Sequence, residues 1–240
     1  VRWIKVKDYE ELSEKAAEIL MKQLESKPDS VIGLATGGTP IGMYRQLVSR
    51  FKREEISFAR VTAFNLDEYI GLGKEQPESF YSYMEHHFFG HVDIPVASRH
   101  IPDGMAENLE GACEAYESSI EASGGIDLQV VGIGQNGHIG FNEPGTSFQS
   151  RTHVTELSAS TRRANAKYFD VKEMPEQAIT MGLQTIMKAR SIVLLAYGHE
   201  KRDALAQLRT GKITGSFPAS CLHEHPNVTV LYGEESEGEG

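Results

Sequence analysis

The stretch from Gly132 to Gly145, Gly-Ile-Gly-Gln-Asn-Gly-His-Ile-Gly-Phe-Asn-Glu-Pro-Gly, constrains this chain more than any other. A short, mostly apolar run from Ile126 to Ile133 leads into it and reads as a buried strand flanked by glycines. Glycines 132, 134, 137 and 140 then surround one imidazole, His138, one carboxylate, Glu143, and two amides, Asn136 and Asn142. Glycine loses more backbone freedom on folding than any other residue. So many together therefore imply positive φ angles or the close approach of a ligand. A loop carrying His and Glu at the end of a buried strand is where α/β folds place active sites. Gly132-x-Gly134-x-x-Gly137, with Glu156 beyond it, also matches the dinucleotide-binding fingerprint. That motif needs a helix opening at its third glycine, and Gly140 and Pro144 interrupt any helix there. A purely structural turn holding a satisfied histidine stays open, with two asparagines and a glutamate weighing against it.

A chain of 240 residues, 40% hydrophobic, holds one large α/β domain or two small ones. No apolar run approaches the length of a membrane span, and no basic segment followed by an apolar one opens the chain. With only Cys113 and Cys221 there is no disulfide framework, so a cytoplasmic protein is expected, with Cys113 a small core hydrophobe. The net charge of −10 argues against nucleic acid. A local nest of backbone amides with one or two lysines still suits an anionic substrate. The acidic end, residues 233–240, lacks apolar side chains and is expected to be a disordered tail.

Strands and helices alternate along the chain. Trp3–Val6 reads as a strand, Asp8 with Glu11 as a capping box, and Leu12, Ala16, Ile19, Leu20 and Leu24 as the helix's apolar stripe. Val31–Ala35, Val61–Asn65, Ser191–Tyr197 and Val228–Tyr232 are further strands, the last expected to close the sheet. Helices are expected from Ser79, over Asn108–Ala122, Ser160–Phe169 and Leu183–Lys188, and up to Leu208. Arg151–Leu157 and Ala178–Met181 read as extended. Thr36-Gly-Gly-Thr-Pro40 precedes another helix, with Thr39 as its cap and Pro40 as its first residue. Such N–H groups favour an anion, although an ordinary strand–helix turn is the commoner use of this pattern. The aromatic run Phe80, Tyr81, Tyr83, Phe88, Phe89 is assigned to the core. His86, His87 and His91 are assigned to a solvated helix face, because the zincin glutamate is missing. The pattern predicts a single-domain, doubly wound, mostly parallel sheet with helices on both faces, spanning residues 1–232.

In such a sheet the loops 36–40, 65–73, 134–145 and 198–201 share one edge and converge on one crevice. They bring an anion nest, the acids Asp67 and Glu68, His138 with Glu143, and Lys201. Asp67 and Glu68 are either solvated loop charges or a catalytic carboxylate with its neighbour. Neither a metal-ligand set nor a serine elbow accompanies them, and no cofactor is called for. Carboxylate plus imidazole suits proton transfer beside a carbonyl on a phosphorylated sugar.

Four stretches carry a resemblance: Leu34-Ala-Thr-Gly-Gly-Thr-Pro40, Phe64-Asn-Leu-Asp-Glu-Tyr-Ile-Gly-Leu72, Gly134–Pro144, and Ser150-Arg-Thr-His153 with Thr161-Arg-Arg-Ala-Asn165. In order and spacing the chain resembles the glucosamine-6-phosphate deaminase family. The resemblance implies conversion of glucosamine 6-phosphate to fructose 6-phosphate and ammonia through an enolamine. Asp67 would carry the proton between C2 and C1. His138, oriented by Glu143 and Asn136, would open the sugar ring. Thr36, Gly37, Gly38, Thr39 and Lys201 would hold the phosphate, and residues 146–185 would form a lid. Many members have aspartate where this chain has Asn136, so ring opening here is expected to lean more on Glu143. Lys167 stands where longer members place a phosphate-binding arginine, and lysine lacks the bidentate fork. Longer members are hexamers activated by an N-acetylated sugar phosphate. His153 and Thr155 replace basic residues of that regulatory site, so the expectation is a monomer, or at most a dimer. Two alternatives stand beside this reading. One is a 6-phosphogluconolactonase, whose loop continues differently after the histidine. The other is a silent sugar-phosphate sensor, disfavoured by the presence of both Asp67 and His138.

Overall fold

The structure, a computed structural model, describes residues 1–166, 169 and 174–234. In chain order the elements are β1 (Arg2–Lys5), α1 (Tyr9–Ser26), β2 (Val31–Leu34), α2 (Ile41–Lys52), β3 (Thr62–Asn65), β4 (Asp67–Tyr69) and α3 (Phe80–His87). There follow β5 (Arg99–His100), α4 (Leu109–Ala122), β6 (Leu128–Gly132), β7 (His153–Glu156), α5 (Ala159–Asn165), β8 (Gln177–Thr180), α6 (Leu183–Met187), β9 (Ser191–Tyr197), α7 (Arg202–Arg209) and β10 (Val228–Gly233).

Seven strands form one sheet in the order β1-β10-β9-β6-β2-β3-β5, and every neighbouring pair is parallel. Successive side chains of a strand point to opposite faces, and here both faces are buried. Along β9, Ile192, Leu194 and Ala196 face a core shared with α4, α6 and α7, while Val193 and Leu195 face one shared with α1, α2 and α3. Burying an aliphatic side chain contributes about 1.5–3 kcal/mol, so strands apolar on both faces settle only between two helical layers. The strand order reverses between β2 and β6. From β2 the chain proceeds outward through β3 to β5, and from β6 outward through β9 to β10. That reversal opens a crevice at the carboxyl ends of β2 and β6, which deliver the glycine-rich loops 36–40 and 133–145.

Several expectations hold in detail. Asp8 accepts the Glu11 N–H at 2.8 Å, and Glu11 reaches back to the Lys7 N–H at 2.7 Å, one residue earlier than a capping box usually does. Ser79 caps α3 and Asn108 caps α4. Cys113 and Cys221 are buried free thiols. Phe88 and Phe89 are core residues, and His86 and His91 are exposed. No helix among them is long and apolar enough to cross a membrane.

Other expectations are corrected. Pro40, in helical conformation at φ −80°, occupies the cap position of α2 without any side-chain bond, so Thr39 is left to the loop before it. β10 does not close the sheet: it lies between β9 and the edge strand β1, and Gly233 belongs to it. Glu234 pairs with Arg202 at 3.4 Å, so Gly233 and Glu234 have structural partners within the stretch expected as a tail, and residues 235–240 lie outside the described ones. β5 is two residues long, too short for any periodic signal. The largest departure is a second sheet, β4-β8-β7, antiparallel throughout. Asp67–Tyr69 is therefore a strand and not a loop, and Tyr69, Phe141, Leu157 and Ala178 give this sheet its own small core.

At the opposite rim of the main sheet, Asp127 ties the amino ends of β2, β6 and β9 together. Its buried carboxylate accepts from the Val31 N–H at 2.8 Å, Lys27 at 2.7 Å and Arg190 at 2.6 Å. Burial alone would raise its pKa. The bonds from Lys27 and Val31, with the charges of Lys27 and Arg190, outweigh burial and hold it below the usual carboxylate range. Asp127→Ala strands a buried backbone donor and should cost about 1–3 kcal/mol. In a chain this size that lowers the melting temperature by roughly 2–10 °C at pH 7. A group with a depressed pKa stabilises above its unfolded value, so the deficit should fade as pH falls through the folded one. A melt within about 1 °C of the parent at pH 7 would show that the clamp carries no weight.

Candidate active site

Residues of the first glycine-rich loop are held from behind. The Tyr83 hydroxyl donates to the Gly37 carbonyl at 2.7 Å, and Tyr9 lies 3.1 Å from the Gly38 carbonyl and 2.9 Å from that of Thr39. The Gly42 N–H donates to the same Tyr9 oxygen at 2.9 Å. Gly37 sits at φ 92°, a conformation that favours glycine. With the carbonyls drawn toward two tyrosines, the N–H groups of Gly37, Gly38 and Thr39 have no backbone acceptor among the described residues. Adjacent unpaired donors at the start of a helix attract an anion.

One strand over, the chain changes sheets across a single residue. Leu66 donates its N–H to Leu34 in the main sheet at 3.0 Å and accepts the Met181 N–H at 2.7 Å. Asn65 thus belongs to one sheet and Asp67 to the other, opposite Thr180 on β8. Asp67 is 6% exposed, and its carboxyl has no hydrogen-bond partner among the described residues. Burial, with the negative charge of Glu68 adding to it, pushes its pKa up to about 8. Glu68 differs. It accepts the N–H groups of Tyr69, Phe80 and Tyr81, each at 2.9 Å, and so anchors the start of α3. Burial still prevails over those bonds and takes its pKa to about 7.

The loop after β6 brings up the imidazole. The His138 ring lies over Gly134, where any Cβ would fall within 2.4 Å of three ring atoms. Asn136 Oδ1 is 2.7 Å from His138 Nδ1 and accepts the His138 backbone N–H at 3.2 Å. Asn136 Nδ2 donates to Glu143 Oε2 at 2.7 Å. A backbone N–H can only donate, so it fixes the amide oxygen on the histidine side. His138 Nδ1 must then carry the ring proton, and Nε2 holds the free lone pair. Glu143 stands 3.8 Å from Nδ1, and Asn136 is interposed. Burial lowers the His138 pKa first; Glu143 opposes this and the Lys201 charge adds to it, so the ring stays neutral near neutral pH. Lys201 therefore reaches this site, from the 3₁₀ turn His199–Lys201 after β9. Gly140, at φ 58°, carries the same loop past Thr180, whose Oγ1 a Cβ there would meet at 2.9 Å, with Asp67 Oδ2 in ordinary contact at 3.5 Å.

A family model for glucosamine-6-phosphate isomerases/6-phosphogluconolactonase matches residues 7–231. The chain belongs to that family. A glucosamine-6-phosphate deaminase of Lysinibacillus sphaericus is 53% identical over 234 residues, covering 97% of this chain and 99% of its own. One from Shouchella clausii is also 53% identical over 234 residues, covering 97% of this chain and 95% of its own. Among solved structures, a monomeric glucosamine-6-phosphate deaminase superposes with TM-score 0.96 at 48% identity, over 97% of each chain. A 6-phosphogluconolactonase from Thermotoga maritima superposes with TM-score 0.77 at 22% identity, over 98% of this chain and 99% of that one, which is a likeness of fold.

Within this glucosamine-6-phosphate isomerase/6-phosphogluconolactonase scaffold, Asp67 lies beside Gly140 of the loop in which Asn136 joins His138 to Glu143, the Lys201 charge acts on His138, and residues 36–39 leave the neighbouring strand β2 at the same edge of the sheet. Lys167 lies outside the described residues. Sequence reasoning gave Tyr9 no role and placed Tyr83 with the core, against which it packs, without foreseeing that both hydroxyls meet the carbonyls of residues 37–39. It quoted Thr161 within a motif without a role, although Thr161 and Ser158 bind Glu143. Helical spacing marks a tyrosine as amphipathic and gives no clue to which carbonyl its hydroxyl meets.

An acid at about 8 when folded and roughly 3.9 when unfolded costs stability. Between those values the unfolded chain is ionised while the folded one keeps its proton, so stability falls as pH rises through the window. Asp67→Asn should remove that cost. Its gain in melting temperature should be larger at pH 8 than at pH 5, by at least about 2–4 °C, the shift worth about 1 kcal/mol here. An equal gain at both pH values would mean that ionisation of Asp67 is not the source.

Proposed function

We propose that this chain is a glucosamine-6-phosphate deaminase, converting glucosamine 6-phosphate and water to fructose 6-phosphate and ammonia. The observation that carries the reading is the unpartnered, buried Asp67 carboxyl beside the loop whose His138 is held as an Nε2 base. Relatives at 53% identity bear that activity as their name, whereas the lactonase likeness stands at 22%.

The phosphate sits on the N–H groups of Gly37, Gly38 and Thr39, with Thr36 and Lys201 beside it. His138 Nε2 takes the anomeric hydroxyl proton and hands it to O5 as the C1–O5 bond opens, and Asn136 steadies the imidazole. Glu143 acts on that ring through Asn136 more than directly, given the 3.8 Å separation. In the open chain, Asp67 removes the C2 proton, forming the enolamine, and delivers it to C1. The resulting imine at C2 is hydrolysed, and ammonia leaves. A carboxyl of raised pKa suits this shuttle, because a base that must return its proton works best with a pKa near the operating pH. Residues 146–185 form the proposed lid of a single catalytic domain.

Ammonia release from glucosamine 6-phosphate, measured beside 6-phosphogluconolactone hydrolysis, tests the reading. The deaminase reaction should dominate, and Asp67→Asn should lower kcat about 10²–10⁴-fold with phosphate affinity nearly intact. Near-parent turnover in that variant would return Asp67 to the status of a loop charge, and lactone hydrolysis alone would favour the sister activity.

We further propose a monomer without allosteric control, by analogy with the solved deaminase described as monomeric. His153 and Thr155 lie on β7, and neither offers the fixed cation of an arginine or lysine. Cooperative regulation requires a second site coupled through two states. Light scattering should give the mass of one chain, and initial rates should be hyperbolic with or without N-acetylglucosamine 6-phosphate. A hexamer with sigmoidal rates relieved by that effector would overturn this.

A further inference from the structure

The relay from His138 through Asn136 to Glu143 does not end at Glu143. Its second oxygen, Oε1, meets two hydroxyls at the start of α5. Ser158 caps that helix, accepting the Thr161 N–H at 3.1 Å, and its Oγ lies 3.0 Å from both Glu143 Oε1 and Thr161 Oγ1. Thr161, 4% exposed, donates its own hydroxyl to the same Glu143 oxygen. Each hydroxyl has one proton, and an ionised carboxylate only accepts. With Thr161 donating to Oε1 and Asn136 Nδ2 donating to Oε2, both oxygens are engaged from opposite sides. The carboxylate plane is thereby set, and with it the direction from which Asn136 is held.

We propose that Ser158 and Thr161 are positioning residues for the catalytic histidine: they hold Glu143 against Asn136, which in turn fixes the Nδ1–H tautomer of His138. Among the described residues neither side chain is hydrogen-bonded to residues 36–39 or to the imidazole. Their effect reaches the chemistry only through a continuous set of hydrogen bonds, from Thr161 and Ser158 to Glu143, then Asn136, then the ring. Asparagine makes this support necessary. It carries no charge to hold an imidazole N–H by itself, and its amide can turn over, so its aim depends on the carboxylate behind it. Remove the hydroxyls and Oε1 loses its donors. The carboxylate then turns, the Asn136 amide is released, and the imidazole exchanges between tautomers. In the Nε2–H form the free lone pair faces Asn136, and the nitrogen that should accept the anomeric proton is already occupied.

The tautomer half of this inference stands on geometry alone; the kinetic half rests on the deaminase reading. Nitrogen-15 spectra of the full chain report which ring nitrogen of His138 is protonated, with His138→Gln identifying the signal. The parent should show the Nδ1–H form, and Thr161→Val a mixture of both. Thr161→Ser, which restores the hydroxyl, should return the parent spectrum. Ser158→Ala, which leaves the buried Thr161 in place, should shift the spectrum in the same direction by less, so the inference stays open to refutation even where Thr161→Val fails to fold. In steady-state assays Thr161→Val should lower kcat about 10–100-fold, as small displacements of a reacting group do. KM should change less than about threefold, because the ground-state phosphate contacts are untouched. Parent-like His138 spectra in both Thr161→Val and Ser158→Ala would overturn the positioning role. Spectra that shift as expected in a chain releasing no ammonia would instead refute the deaminase reading and leave the relay standing.

Discussion

The site depends on Leu66. Its N–H binds Leu34 in the seven-stranded sheet and its carbonyl binds Met181 at the end of β8, so one residue joins two sheets that run in different directions. A strand continuing straight from β3 would have carried Asp67 to the solvent rim with the other loop charges. The switch turns it inward, opposite Thr180 and beside the main chain at Gly140. Desolvation then does the rest, because a carboxyl without donors in such a place keeps its proton to higher pH. Glu68, the next residue along, faces the other way and spends its oxygens on the first N–H groups of α3. Two adjacent acids thus take different work from the alternation of a three-residue strand.

The main sheet separates what stabilises from what reacts. Asp127 and its partners clasp the amino ends of β2, β6 and β9, and the glycine loops leave from the carboxyl ends of β2 and β6. Strands buried on both faces are rigid, so groups at their carboxyl ends are held without being packed in. The second sheet adds the one element that the parallel sheet cannot supply, a wall with its own apolar core into which Phe141 of the His138 loop packs.

The parallel core was legible because its signals are redundant. β9 has seven residues, apolar on both faces, and Asp8, Ser79 and Asn108 cap helices with the side chains that chemistry favours. The loop of His138, Asn136 and Glu143 was legible because glycine density marks backbone that must adopt positive φ, as Gly137 and Gly140 do. What escaped was encoded in pairing rather than in pattern. β4, β7 and β8 have three or four residues each, and a strand that short gives no period from which to tell parallel from antiparallel. The N-cap of α2 moved by one because Thr39 and Pro40 both suit the start of a helix, and only the tyrosine bonds to the preceding carbonyls settle which residue turns first. Contacts such as Thr161 with Glu143 join residues 18 apart through side chains alone, beyond any local rule.

The two tyrosines behind residues 37–39 bear on how discrimination is divided. Because Tyr9 and Tyr83 keep those carbonyls turned away before any ligand arrives, little ordering entropy remains to be lost when an anion docks. On the proposed reading such a socket would hold every phosphorylated sugar alike. Choice between an amino sugar and a lactone would then fall to the groups around Asp67 and His138. One preformed grip with an exchangeable opposite face gives a physical reason why a single scaffold carries two chemistries.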